Sequence, residues 1–301
     1  MNDDLEGMPG EGLKALTGAL VRLALAEDVG TGDVTTLAVV DPERRAVGEV
    51  LCKQAGVLSG LEPARAVLEV VDPTVEWDLR RADGDAIEPG EVVLRLAGRA
   101  RSLLTMERVM LNFLQQLSGV ATMTRRFVRA VEGTGVRITD TRKTTPGLRF
   151  LEKAAVQHGG GVNHRIGLYD AFMVKDNHIV AAGSITRAVE RIRANGPSLP
   201  IIVEAKLPSE VEEAAGLEVD QILLDNMSPE EIARSVAVIR EIENRVASRR
   251  ARIEVSGGVT LDTVRAKALP GVDLISIGAL THSAPALDLS LELTLESGLM
   301  H

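Results

Sequence analysis

The sequence predicts an α/β protein. A small N-terminal α+β domain is followed by a closed or nearly closed barrel of parallel strands, with a doubly wound open sheet as the competing arrangement. Three observations predict it. From residue 136 onward, short apolar runs alternate with helical patterns, the rhythm of a parallel sheet. Those runs show little two-residue alternation, as strands buried on both faces should. Each run is also followed at once by polar or glycine residues, at the strand ends where α/β proteins build their sites.

Taken in order, an amphipathic helix covers Leu13 to Glu27 and ends in the loop Asp28-Val29-Gly30-Thr31-Gly32-Asp33. Ala46–Cys52 and Glu91–Leu96 alternate with period two between Gly or Asp turns and read as strands, with a helix at Pro63–Val71 between them. A long helical stretch runs from Leu103 to Glu132 and bridges two domains, assigned to 1–117 and 118–285. Gly119 interrupts it, at a cost of about 1 kcal/mol against Ala unless a close contact requires glycine. Strands then fall at Val136–Asp140, Ala171–Val174, Ile201–Val203, Gln221–Leu224, Arg252–Val255 and Leu274–Ile277. Helices lie between them at Ile185–Ala194, Ser209–Ala215, Pro229–Arg249 and Leu261–Ala268. Six strands, with room for a seventh, occupy fewer residues than the ~250 of an eight-fold barrel.

Composition narrows the function. Aromatics make up only 2% of 301 residues, so the core must be aliphatic and no stacking platform for single-stranded nucleic acid is expected. The net charge of −9 argues against nucleic acid and anionic membranes as partners. The lone Cys52 excludes an intrachain disulfide and reads as a small buried apolar residue. Met1-Asn2-Asp3-Asp4-Leu5-Glu6 is acidic and unlike a secretory signal, and no apolar run approaches the ~20 residues of a membrane span. The expected location is the cytoplasm.

The strand ends carry the chemistry. They present Thr141-Arg142-Lys143, then Lys175-Asp176-Asn177-His178, then Glu204 and Lys206, then Asp225-Asn226, then Ser256-Gly257-Gly258, and last Gly278-Ala279-Leu280. An acidic chain that gathers Arg142, Lys143, Arg165, Lys175 and Lys206 near one crevice is built for a multiply charged anion. Arginine forks suit flat carboxylates and phosphates. The glycines after the last two strands suit backbone N–H contacts to a phosphate. Glu204 and Asp225 end adjacent strands, where paired carboxylates hold Mg²⁺ or ribose hydroxyls, or else simply pair with lysines. His158-Gly159-Gly160-Gly161 looks like an esterase oxyanion loop, but no G-x-S-x-G turn accompanies it.

Several ordered blocks resemble the quinolinate phosphoribosyltransferase family. They are Thr141-Arg142-Lys143-Thr144-Thr145-Pro146-Gly147-Leu148-Arg149, Gly159 to Leu168, Lys175-Asp176-Asn177-His178, Leu223 to Met227, Glu254 to Gly258, and Ile277 to His282. Upstream, Glu27 to Thr36, Glu107-Arg108 and Leu117 to Thr122 continue the likeness, which covers roughly residues 24–288. The resemblance implies an N-terminal α/β sandwich, an incomplete barrel of about seven strands, and a tail (residues 286–301) that returns to the N-terminal domain. It implies transfer of phosphoribosyl from phosphoribosyl pyrophosphate to quinolinate with decarboxylation, giving nicotinate mononucleotide, pyrophosphate and CO2 in de novo NAD biosynthesis. It implies Mg²⁺ and a homodimer, with hexamers in some members, in which Arg108 reaches the neighbouring subunit's site. Arg142, His164, Arg165 and Lys175 would hold the quinolinate carboxylates, and Lys143 would lie near the pyrophosphate. Glu204 and Asp225 would contact ribose hydroxyls and Mg²⁺. Ser256, Gly257, Gly258, Gly278 and Ala279 would cradle the 5′-phosphate near His282. Thr141 and Ile277 join this substrate-contacting set, and Lys143, Lys175, Glu204 and Asp225 form its catalytic part. Lys206 stands where further acids are common in the family. Two other readings remain: a Schiff-base lyase using Lys175 or Lys206 as nucleophile, and a non-catalytic binder of an anionic metabolite.

Overall fold

A computed structural model describes residues 10–246 and 250–296, with side chains from residue 14. Helix α1 (Gly10–Val29) and the short α2 (Val34–Val39) lead into β1 (Arg45–Cys52) and β2 (Gly56–Val57). Then come α3 (Leu61–Val71), β3 (Glu76–Leu79), β4 (Ala86–Ile87), β5 (Val92–Arg99) and the 31-residue α4 (Ala100–Ala130). The next elements are β6 (Arg137–Thr139), α5 (Arg149–His158), β7 (Phe172–Val174), α6 (Asp176–Ala182), α7 (Ile185–Asn195) and β8 (Ile201–Ala205). The chain closes with α8 (Pro208–Ala215), β9 (Gln221–Asp225), α9 (Pro229–Val246), β10 (Arg252–Ser256), α10 (Val264–Lys267), β11 (Leu274–Ser276), α11 (Ala279–His282) and β12 (Leu289–Leu295). The last three residues of the expected helix Pro229–Arg249 lie outside the described residues, as do 297–301 of the expected tail.

Two compact units emerge. One takes residues up to 125, 145–160 and 283 onward; the other takes 126–144 and 161–282. Helix α5 therefore belongs with the first unit, although it lies in sequence after the first strand of the second.

In the first unit, an antiparallel sheet runs in the order β12-β1-β5-β3. Strand β1 buries alternate residues, Ala46, Gly48, Val50 and Cys52, the period-two pattern of a strand with one covered face. Leu289–Leu295 pairs along the whole of β1, from Cys52↔Leu289 to Ala46↔Leu295. Leu103, Met106, Met110 and Leu114 line one stripe of α4 and join Leu58, Leu68, Leu94 and Leu96 in a continuous core. Gly119 does not break α4, because a Cβ there would overlap the Pro285 carbonyl; close backbone approach demands glycine.

The second unit holds a parallel six-stranded sheet in the order β6-β11-β10-β9-β8-β7. Neighbours follow chain order, except that the first strand pairs with the last, Ile138 opposite Ile275. That is barrel order; a doubly wound sheet would instead reverse direction at a switch point. Six strands are present, and the seventh position is taken by a single bridge, Val162 to Thr139. Val162 alone makes the bridge, between Gly161 and a segment with no regular structure, so no ladder extends there. The strands are mostly apolar, and β8 is buried at every residue, Glu204 included. No helix among the described residues is long and apolar enough to cross a membrane.

Candidate active site

Because all six strands run parallel, their C-terminal ends open on one side, and the residues that follow them meet there. A crevice of about 270 Å³ is lined by Thr141, Arg142, Lys143, His164, Arg165, Lys175, Glu204, Asp225 and Ser256, all expected from sequence. Met173, Leu223, Glu254 and Ser276 complete it. Strand register explains the set. Glu204 lies opposite Leu223, Leu223 opposite Glu254, and Asp225 opposite Ser256, so these side chains form rows across one face. Ala171, Ile202 and Leu223 pack with Met173 as an apolar floor.

The charges are arranged in two groups. Lys175 Nζ donates to Glu204 Oε2 at 2.6 Å. Lys206 Nζ sits 3.0 Å from Asp176 Oδ2, 3.5 Å from Glu204 Oε1 and 3.9 Å from Asp225 Oδ2. The bond to Asp176 chiefly raises the Lys206 pKa, helped by Glu204 and Asp225, and the same bond lowers that of Asp176. Burial and then the nearby Glu204 charge push the Asp225 carboxyl up, opposed by Lys206, Lys175 and Lys143. On the other side, burial and the charge of Arg142 hold the Arg165 guanidinium below its usual value, against a smaller pull from Asp170. Two cations close enough to disfavour each other are arranged for an anion that satisfies both. Arg142 and Lys143 are exposed and make no ion pair among the described residues.

The remaining expected residues are not in this lining. A Cβ on Gly278 would fall 2.9 Å from Lys143 Cδ and 3.1 Å from His282 Nε2, so these three residues crowd together. Gly257 and Gly258 have φ of +88° and +59°, and a Cβ on Gly257 would strike Asn226; the turn after β10 needs glycine. Thr281 Oγ1 donates to the Lys143 carbonyl at 2.7 Å, and Ala279 begins the short α11. Ile277 is buried, and its N–H donates to Thr139 O at 2.9 Å. Arg108 is exposed on α4 in the first unit and is not among the lining residues.

Sequence reasoning missed four residues. Glu254 and Ser276 lie two positions before Ser256 and Gly278, so the period-two rule marks them as sharing a strand face with a chosen residue. Met173 and Leu223 carried no signal, because an apolar strand residue reads as core.

No group of three or more His, Cys, Asp or Glu side chains among the described residues could hold a metal ion. Glu204 and Asp225, with Lys175 and Lys206 against them, do not form a cage for a resident metal. They fit the commoner Mg²⁺ arrangement, in which one or two carboxylates share the ion with substrate phosphates and water.

Residues 33–118 match the N-terminal domain, and residues 120–292 the C-terminal domain, of the family described as quinolinate phosphoribosyl transferase. The chain belongs to that family. It is 46% identical over 270 residues, 89% of its own length and 90% of the relative's, to a probable nicotinate-nucleotide pyrophosphorylase (carboxylating) of Synechocystis. NadC from Streptococcus pyogenes matches with a TM-score of 0.86 at 42% identity, over 92% of this chain and 96% of that one. The nicotinate-nucleotide pyrophosphorylase from Francisella tularensis matches with a TM-score of 0.89 at 34% identity, over 98% and 100%.

Proposed function

We propose that this chain transfers phosphoribosyl from phosphoribosyl pyrophosphate to quinolinate, releasing pyrophosphate and CO2 and forming nicotinate mononucleotide in de novo NAD biosynthesis. The observation that carries this reading is the crevice itself: an acidic chain places Arg142, Lys143, Arg165 and Lys175 around one cavity with the carboxylates of Glu204, Asp225 and Glu254. Such a site suits a dianionic ring beside a phosphorylated sugar.

In this reading Arg142, Arg165 and Lys175 take the quinolinate carboxylates, with His164 and Thr141 in the same wall. Relief of the Arg142–Arg165 repulsion favours the dianion. The apolar floor of Met173 and Leu223 receives the ring face. The pyridine nitrogen then displaces pyrophosphate at the anomeric carbon. Lys143 offsets charge on the leaving group, and Glu204 and Asp225 orient the ribose hydroxyls. Mg²⁺, when bound, neutralises pyrophosphate charge, and Glu204 and Asp225 would hold it. The turns at Ser256-Gly257-Gly258 and Ile277-Gly278-Ala279, beside His282, receive the 5′-phosphate. After transfer, the cationic ring stabilises the carbanion left at C2 as CO2 departs, and a proton replaces the carboxylate.

A Schiff-base lyase is disfavoured by the pairing of Lys175 with Glu204 at 2.6 Å, a setting for a charged ammonium rather than a neutral amine. Quinolinate-dependent pyrophosphate release, assayed with nicotinate as control, tests the reading. Release with quinolinate alone supports it. Tight quinolinate binding without turnover favours the binding-protein alternative.

The working form in this reading is a cytoplasmic homodimer, with Arg108 of one subunit completing the other's site. Mixing Arg108→Ala with Lys175→Ala subunits tests this: partial recovery of activity is expected, and no recovery contradicts a shared site.

A further inference from the structure

We propose that Glu254 is a positioning residue for this crevice: it fixes the His164 ring, and through that ring sets Arg165 for the substrate's carboxylates. The inference rests on the reading above for the identity of the substrate. Residues 163–171 run between the Val162 bridge and β7 without helix or strand, so side chains must supply their geometry. Three carboxylates do so. Asp140 Oδ1 accepts the His164 N–H at 2.9 Å, and Asp170 accepts the N–H groups of Ile166 and Gly167 at 2.5 and 3.0 Å. Both act on backbone. Glu254 reaches a side chain, with His164 Nε2 at 3.1 Å from its Oε2.

The other ring nitrogen settles the tautomer. His164 Nδ1 accepts the Arg165 N–H at 2.8 Å, so it carries no hydrogen. The ring hydrogen therefore sits on Nε2 and is donated to Glu254. Gln221 Nε2 donates to the same carboxylate oxygen, which holds that oxygen in place. Glu254 is completely buried and the His164 side chain only 7% exposed. The chain of contacts therefore runs Gln221, Glu254, His164 ring, Arg165 backbone. Beyond it, Arg165 Nη1 donates to Ala171 O at 3.0 Å, while its buried Nε has no hydrogen-bond partner among the described residues. The direction of the guanidinium thus depends on where its backbone is held. A buried carboxylate costs folding free energy that an apolar residue would not, and its one evident return is the orientation of this segment.

The test separates positioning from packing. The second oxygen of Glu254 has no hydrogen-bond partner among the described residues, so Glu254→Gln can place its amide nitrogen there and keep an acceptor for His164. Glu254→Leu removes the acceptor. By ¹⁵N NMR the unmodified protein and Glu254→Gln should show His164 as the neutral Nε2–H tautomer, and Glu254→Leu should lose that signature. The KM for quinolinate should rise about tenfold or more in Glu254→Leu, stay within about threefold in Glu254→Gln, and leave the KM for phosphoribosyl pyrophosphate within about twofold in both. If Glu254→Leu does not fold, Glu254→Asp keeps the charge but shortens the reach, and the same KM split is expected. An Nδ1–H ring in the unmodified protein, or equal rises in both KM values, would overturn the proposal. The NMR result does not depend on turnover, so an inactive protein would count against the assigned reaction while the tautomer still decides this inference.

Discussion

The sheet of the first unit and the sheet of the second enclose different things. Strands β1 and β5 turn Ala46, Val50, Cys52, Leu94 and Leu96 into one apolar core with α4. Strands β8 to β11 bury Glu204, Gln221, Glu254 and Ser276 in the same positions where the first unit keeps aliphatic side chains. Burying polar groups is costly unless they are bonded, and Glu254 and Ser276 each keep one buried oxygen without a hydrogen-bond partner among the described residues. One sheet holds the fold, and the other accepts polar burial to aim side chains into the crevice.

Substitutions can break this contrast. The largest effect on chemistry is expected from Arg165→Ala, a partly buried cation that burial and Arg142 already disfavour. Its kcat/KM for quinolinate should fall about 10²–10³-fold, while the thermal midpoint should hold or rise. A large fall in the midpoint would make Arg165 structural. In the first unit, Leu94→Ala removes a fully buried side chain. It should cost about 2–5 kcal/mol in denaturant unfolding, yet leave the KM for quinolinate of the folded fraction unchanged.

Asp225→Asn sharpens the comparison through pH. The folded pKa of Asp225 lies above its ordinary value of 3.8, raised first by burial and then by Glu204. The folded state therefore holds this proton more tightly than the unfolded state does. The carboxyl's favourable contribution is fully present below 3.8 and is lost as pH rises through the folded pKa. Asp225→Asn should accordingly match or exceed the unmodified protein in stability at pH 7, with the difference shrinking as pH falls toward 3.8, while activity drops. A variant less stable at pH 7 would contradict this. The smallest effect is expected for Lys53→Ala, which breaks an exposed 2.9 Å pair with Glu292. Stability should change by no more than about 1 kcal/mol, as measured by urea titration.

Much of this was legible in sequence. The six barrel strands announce themselves as aliphatic runs, and the charged crevice follows from reading what comes after each one. Other parts were not. Helix α5 hides because Glu152 and Lys153 are completely buried within it, against the usual rule that charges mark the solvent face. Strand β3 is four residues, Glu-Trp-Asp-Leu, half-exposed and too short to show a period. In β12, Leu289, Leu291, Leu293 and Leu295 do alternate, but only the pairing with β1 gives that pattern a partner. In sequence Glu254 reads as part of a buried strand, and only the fold brings Gln221 and His164 to its carboxylate.

In the proposed reaction one crevice both binds and decarboxylates a pyridine dicarboxylate. Quinolinate labelled with ¹³C in its 2-carboxylate, supplied with phosphoribosyl pyrophosphate and Mg²⁺, tests it most directly. Labelled CO2 and nicotinate mononucleotide should appear in step with pyrophosphate, with no nucleotide from nicotinate. Nucleotide formed equally well from nicotinate, or pyrophosphate released without labelled CO2, would contradict it.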